Sequence, residues 1–375
     1  MTEQMQKTVG RIEEIDAETL LDRSPVRLDV ATAAGYLTNK TVLVTGAGGS
    51  IGGELCRQLA TCAPKQLILL DICENGMYDV EQELFRRFPT LKTETVVADI
   101  REEGRIRAIF KRYRPQSVFH AAAHKHVPMM EKNPCECVKN NVFGALNVMN
   151  AAKDHGTENF VFISSDKAVN PTSVMGATKR IGEMLVRAMS QEETKTKFAA
   201  VRFGNVLCSN GSVVPLFLRQ IAEGGPVTVT HKDITRYFMT LTEAVSLVLQ
   251  ASAYAKGGEI FVLDMGEQIR IYDLAEKLIR LHGLKPHKDI GIVCTGLRKG
   301  EKLREERLNK EDGLQKTHNG LISVARPLPV DREKLFECLR DLREAAYAEA
   351  SDIKLRVKEL VPSYTVDTTD TAGEN

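Results

Sequence analysis

The sequence predicts an α/β protein: a doubly wound parallel sheet with a smaller C-terminal cap. Short β-branched runs alternate with helical segments from Thr41 to Ser190, a glycine-spaced turn joins the first run to the first helix, and the alternation becomes irregular after Val206. Strand-helix alternation implies parallel strands, because parallel neighbours need a crossover connection and the crossing helices cover both faces.

The elements follow in order. Residues 1–38 carry acidic helical character (Arg11 to Leu21) and then the proline-broken RSPVRLD, which reads as an arm or linker. Then come TVLVT and a helix from Ile51 to Thr61, QLILL and a helix from Met77 to Phe88, and TVVA and a helix from Glu102 to Tyr113. SVF precedes a helical stretch from Cys135 to His155, and FVFI precedes another from Met175 to Ser190. After FAAVRFGNV the chain mixes GSVVPLF, PVTVT, a helix from Thr242 to Tyr254, the strand EIFVL and a helix from Asp273 to His282. The expected division is a nucleotide-binding unit at 39–208 with 240–266 and a cap at 209–239 with 267–355. A ligand would sit between them, at the carboxyl edge of the sheet. Glu337 to Leu360 reads as charged helix, and 356–375 as a polar, disordered tail.

Composition excludes several classes. The 51 basic and 50 acidic residues are interspersed, for a formal net charge of +1, so there is no electrostatic footprint for nucleic acid or an anionic membrane. The 8 cysteines are scattered and lack the paired spacing of a zinc site, so no metal is expected. No apolar run reaches the roughly 18 to 20 residues that span a bilayer, and the expectation is a soluble, cytoplasmic chain.

TVLVT runs into GAGGSIGGEL, with Gly46, Gly49 and Gly52 at three-residue intervals before a helix. Glycine is needed where the backbone turns with positive φ, approaches a pyrophosphate, or lets a helix cross close to a strand. The helix start at Ser50 and Ile51 then offers free N–H groups to phosphates. The next strand ends at Asp71, about twenty residues on, which completes a Rossmann-type dinucleotide signature. A carboxylate there accepts from a ribose 2′-hydroxyl and repels a 2′-phosphate, favouring NAD over NADP. Asp99 and Ile100 are placed to meet the adenine, and Ala121 and Ala122 are small enough to let the cofactor lie across their strand end.

TGAGGSIG, HAAAHKHVP, KNNVFGALN, SSDKAVNPTSVMGATK, RFGNVLCSNGSVVPLF and GLRKGEKLREE together resemble the extended short-chain dehydrogenase/reductase superfamily, over about Ser24 to Arg307. Within it they look like the UDP-N-acetylglucosamine 4,6-dehydratases of bacterial glycan biosynthesis. The resemblance implies an NAD-dependent lyase acting on a UDP-sugar, a substrate-binding cap, and a homo-oligomer. Many such relatives carry membrane helices ahead of a cytoplasmic catalytic part, and DRSPVRLD looks like that junction. The implied reaction oxidises C4 onto bound NAD, eliminates water across C5 and C6, and returns the hydride to C6. It yields a UDP-4-keto-6-deoxy-N-acetylhexosamine.

That chemistry needs a base at C4, a base at C5 and an acid at C6. The resemblance implies Asp166 as the C6 acid and Lys167 as the C5 base, although an adjacent Asp-Lys taken alone is an ordinary solvated pair. These roles require shifted pKa values or a proton shared by a coupled pair. Lys179 lies four residues after Met175, on one helix face, where the superfamily pairs a ribose-binding lysine with a proton-handling tyrosine. A thioether has no proton to give, so the C4 base stays open among Lys179, Asp166, Ser165 and a relayed water. A membrane-anchored branch of the resembled family also has methionine here.

By the same resemblance Asn141 organises the active site. Lys125 and His126, just beyond the fourth strand, are near enough to meet the hexose or its phosphates, or to act as orienting groups, and the resemblance implies that Asn205, Ser212, Val213, Arg236, Arg298 and Glu301 hold UDP. Cys208 departs from a usual glycine and Asn210 from a frequent arginine. The rival readings are a UDP-N-acetylhexosamine C4 epimerase, which needs no acid/base pair at C5 and C6, and a non-catalytic sugar-nucleotide-binding protein.

Overall fold

A computed structural model describes residues 20–21, 35–308, 313–326 and 329–366. The first strand, β1 (Thr41–Thr45), is buried along its whole length. It leads into α1 (Ser50–Thr61), β2 (Gln66–Asp71), α2 (Glu74–Arg87), β3 (Thr93–Val97), α3 (Glu103–Tyr113) and β4 (Ser117–His120). Short helices α4 (Val127–Lys132) and α5 (Pro134–Val138) follow, then a π-helical turn at Lys139–Gly144, α6 (Ala145–Asp154), β5 (Asn159–Ile163), α7 (Val174–Ser190) and β6 (Lys197–Arg202). Among the described residues the sheet has nine strands, and its parallel part runs β3-β2-β1-β4-β5-β6-β10, with β10 at Ile260–Leu263. The order therefore reverses between β1 and β4, the crevice where such sheets bind ligands at their carboxyl edge.

The cap is a separate apolar cluster. It is built on α8 (Val213–Ala222), β8 (Val227–Val229), β9 (Thr235–Met239), β11 (Gln268–Arg270), α10 (Ile271–Leu281) and β12 (Ile292–Cys294), with Phe217, Leu274 and Leu278 at its centre. Helix α9 (Leu241–Tyr254) returns the chain to the main sheet. Thr240 and Glu243 close a reciprocal capping box at its start, which satisfies N–H groups the helix itself leaves free.

The expected boundaries shift in three places. Residues 35–37 form a helical turn and Leu37 is fully buried in the main core, while Leu20 and Leu21 pack into the cap; the end of the presumed linker is thus folded. The remainder of 1–34 lies outside the described residues, as does 367–375. The hairpin β13 (Leu314–Lys316) and β14 (Ile322–Ala325) adds antiparallel to β10, so it belongs to the main sheet and not to the cap. Finally, α11 (Arg332–Tyr347) and α12 (Ile353–Leu360) bury Leu335, Leu339, Val357 and Tyr364 against the main core. The tail assigned to 356–375 is therefore structured through residue 366. Their amphipathic pattern is complete, but the surface that receives it is set by tertiary contact. The long helix read from Cys135 to His155 is also interrupted by its π turn.

Candidate active site

One cavity of about 740 Å³ runs from the glycine turn, past the end of β5, to the cap. At the nucleotide end, Gly46 has φ +72°, and a Cβ there would lie 2.7 Å from the Ala121 carbonyl carbon. A Cβ on Gly52 would meet the Gly46 oxygen at 1.9 Å. The turn is thus sealed against α1 and β4, and Gly49, Ser50, Ile51, Gly52 and Ala121 line the cavity. Gly49 precedes α1 without a side-chain cap, so the helix's first N–H groups are available to an anion. A dinucleotide's pyrophosphate fits this cradle.

Asp71 accepts 2.9 Å bonds from Gly48 N–H and Cys73 N–H, which fix its carboxylate at the strand end. Asp99 is held by Arg101 at 2.6 Å; burial disfavours its charge, but the guanidinium keeps its carboxyl below the usual range. Ile100 is buried and packs against Gly144. Asp71, Asp99, Ile100 and Ala122 stand outside the cavity wall, around its nucleotide end.

Beyond β5 a 3₁₀ turn, Asp166–Ala168, carries the expected acid/base pair, of which Lys167 lines the cavity and Asp166 does not. Asp166 is fully buried; its Oδ1 accepts from Ser165 Oγ at 2.8 Å and Lys167 Nζ at 3.1 Å, while its Oδ2 has no hydrogen-bond partner. Lys167 also donates to Asn205 Oδ1 at 2.9 Å and lies 3.4 Å from Glu305. Burial disfavours its charge, yet Asp166 and Glu305 override burial and the opposing Arg236, and raise its pKa. The amine is thus held above the usual lysine range in direct contact with Asp166, the arrangement of a coupled pair.

Met175 is 3 % exposed and lines the cavity one turn before Lys179. Lys179 donates to the Ile163 carbonyl at 2.8 Å and sits 4.8 Å from the Phe162 ring centre. Burial pulls its amine down to about 8, against the upward pull of Cys137 and Glu183. Asn141, in the π turn, accepts from His124 N–H at 2.8 Å and donates to the His124 carbonyl at 3.0 Å and Thr178 Oγ1 at 3.1 Å. It does not line the cavity; it ties the strand-four loop to α7. A π turn at such a position commonly marks a functional site, but helical periodicity gives no sign of it.

Toward the cap, Lys125, His126, Asn205, Ser212, Val213, Arg236, Arg298 and Glu301 all line the cavity. Ser212 Oγ, at the start of α8, is buried without a partner. Glu301 bridges Arg298 at 3.1 Å and Arg236 at 3.5 Å. Asn205, expected at the nucleotide, also accepts from Lys167 Nζ at 2.9 Å. Cys208 has φ +56°, a left-handed conformation that explains why glycine is usual there. Asn210 N–H donates to Ser50 Oγ at 3.0 Å, joining the cap loop to the glycine turn. Sequence reasoning missed Glu305, which is buried in the cavity wall beside Lys167 and Arg236.

A family model described as "Polysaccharide biosynthesis protein" matches residues 42–327. The chain belongs to this polysaccharide biosynthesis family. Its member from Staphylococcus aureus, the "Capsular polysaccharide biosynthesis protein CapD", is 54% identical over 81% of this chain and 51% of its own length. The chain thus spans about half of that relative. A "UDP-N-acetylglucosamine 4,6-dehydratase (inverting)" of Campylobacter jejuni is 34% identical over 73% of the chain and 78% of the relative. A "UDP-glucose 4-epimerase" of Rickettsia akari is also 34% identical, over 73% and 79%. Among solved structures, "Pen from Bacillus thuringiensis" superposes with a TM-score of 0.72 at 34% identity, covering 79% of this chain and 90% of that one. The fold of this family member is that of the extended short-chain dehydrogenases/reductases. No helix among the described residues is long and apolar enough to cross a membrane.

Proposed function

We propose that this family member is an NAD-dependent dehydratase that converts UDP-N-acetylglucosamine to its 4-keto-6-deoxy sugar nucleotide. The observation that carries the reading is the 3.1 Å contact between Asp166, buried just behind the cavity wall, and Lys167, which lines it, since C5/C6 elimination needs an adjacent acid and base. Bound NAD would supply the redox chemistry, taking hydrogen from C4 and returning it at C6. The glycine turn and the ends of β2 and β4 would hold it.

The residues then divide the proton work. Lys179, with its amine at about 8, takes the C4 hydroxyl proton that Met175 cannot. The ketone acidifies the C5 hydrogen. One proton moves from Lys167 Nζ to Asp166, turning the ammonium–carboxylate pair into amine and carboxylic acid. The amine takes the C5 proton, the C5–H electron pair forms the C5–C6 double bond as the C6–O bond breaks, Asp166 protonates the departing hydroxyl to water, and the Lys167 ammonium gives a proton back to C5 when C6 is reduced. Ser212, Arg236 and Arg298 would receive the diphosphate; arginine's planar fork bonds two oxygens at once.

Proton NMR of the protein with UDP-N-acetylglucosamine in deuterated water tests this. A new C6 methyl signal with deuterium at C5 is expected, and Lys167→Ala should abolish it. The epimerase-named relative supplies the second reading: a C4-inverted sugar with no methyl would replace the dehydratase by an epimerase.

A further inference from the structure

We propose that Glu305 is a positioning residue that joins Arg236 to Lys167, so that the diphosphate end and the acid/base end of the cavity share one carboxylate. The inference rests on the dehydratase reading for its pH arm only. Glu305 is 4 % exposed and lines the cavity. Its Oε1 lies 3.4 Å from Lys167 Nζ and 3.9 Å from Arg236 Nε, and its Oε2 is buried without a hydrogen-bond partner. The backbone around it is pinned: Gln268 Nε2 donates to the Glu305 carbonyl at 2.6 Å, and Thr235 N–H to the Leu303 carbonyl at 3.0 Å. The carboxylate is thus delivered to both cations by a segment bound to β9 and β11.

The charges facing Lys167 are Asp166 on its own turn, Glu305 on the segment after β12, and Arg236 on β9, with neutral Asn205 completing the shell. Arg236 is in turn shared with Glu301. Charge arriving at Arg236 therefore alters how much of Glu305 is left to Lys167. Such coupling is reciprocal: a proton on Lys167 and an anion on Arg236 must affect each other's binding.

Glu305→Gln keeps the shape and removes the charge. With a carboxylate this near an amine, its loss should lower the Lys167 midpoint. The rate of methyl-product formation, which needs the one proton that the Asp166–Lys167 pair shares, should have its alkaline limb at correspondingly lower pH. UDP, used as the diphosphate probe in calorimetry, should bind several-fold tighter, because Arg236 no longer divides its charge with Glu305. Glu305→Asp should fall between the variant and the natural protein in both. An unchanged limb or an unchanged UDP affinity in folded Glu305→Gln overturns the coupling. Should that variant fail to fold, Glu305→Asp decides, and no movement of its limb or its UDP affinity overturns the proposal. If the natural protein yields no methyl product at any pH, the dehydratase reading has failed, and UDP affinity alone decides whether Glu305 acts on Arg236.

Discussion

Met175 removes a proton donor from the helix position where the resembled enzymes place one, and its neighbours show what can replace it. Lys179 stands one turn further on, buried, with its ammonium on the Ile163 carbonyl and over the face of Phe162. A desolvated ammonium without a carboxylate partner gives up its proton readily. With the amine at about 8, the neutral form grows as pH rises through that value. C4 oxidation, followed in a single turnover as the absorbance of reduced cofactor, should therefore rise with pH about a midpoint near 8. Lys179→Met should abolish it. A rate flat between about pH 7 and 9 would show that another group takes the C4 proton. The sequence displayed Asp166, Lys167 and Lys179 because they lie in one continuous motif. Glu305 was hidden for the opposite reason: it reaches Lys167 only through the fold, and a glutamate in a charged run carries no local mark of burial.

The ends of β5 and β6 and the face of α7 are locked by a buried ion pair beneath the acid/base turn. Glu183 and Arg202 are both fully buried, 2.6 Å apart, and Glu183 also accepts from Ser164 Oγ at 2.7 Å. Ser164 N–H bonds the Val201 carbonyl and Asp166 N–H the Phe203 carbonyl, so this pair fixes the backbone that presents Asp166. Arg202→Met strips a buried carboxylate of its closest cation and leaves it Arg180 at 3.1 Å. A loss of about 3–5 kcal/mol in urea unfolding is expected, and the double variant Glu183→Leu with Arg202→Met should lose clearly less, because neither charge is then left uncompensated. Equal losses would mean that packing, not charge, governs the site. At this scale the alternation of strands and helices was plain in the sequence from β1 to β6. The π turn was not, because Asn141 is placed by one extra residue per turn within an otherwise helical pattern.

For the whole molecule, the C-terminal helices decide how the loop after Asp166 is held. An amphipathic helix announces that it will be covered but not by what, which is why the pattern over 337–360 gave helix correctly and placed it on the wrong unit. In the structure α11 lies against α5 and the π turn, and α12 against α7. Lys354 pairs with Glu131 at 2.9 Å, and Glu131 in turn accepts from Val174 N–H at the start of α7. Thr365 N–H donates to the Pro171 carbonyl at 2.9 Å, and Tyr364 beside it is 1 % exposed. The end of the described chain thus closes directly over the loop between Asp166 and Ser173. Tyr364→Ala empties a large buried site and loosens that closure. The expected cost is about 3–5 kcal/mol, the range for removing a buried aromatic ring. Because the loop carries Asp166 and Lys167, methyl-product formation should fall further than the folded fraction does, while affinity for NAD, held on the other half of the sheet, should stay near that of the natural protein. Activity that simply tracks the folded fraction would reduce α12 and its extension to a covering of the core, with no hold on the acid/base turn.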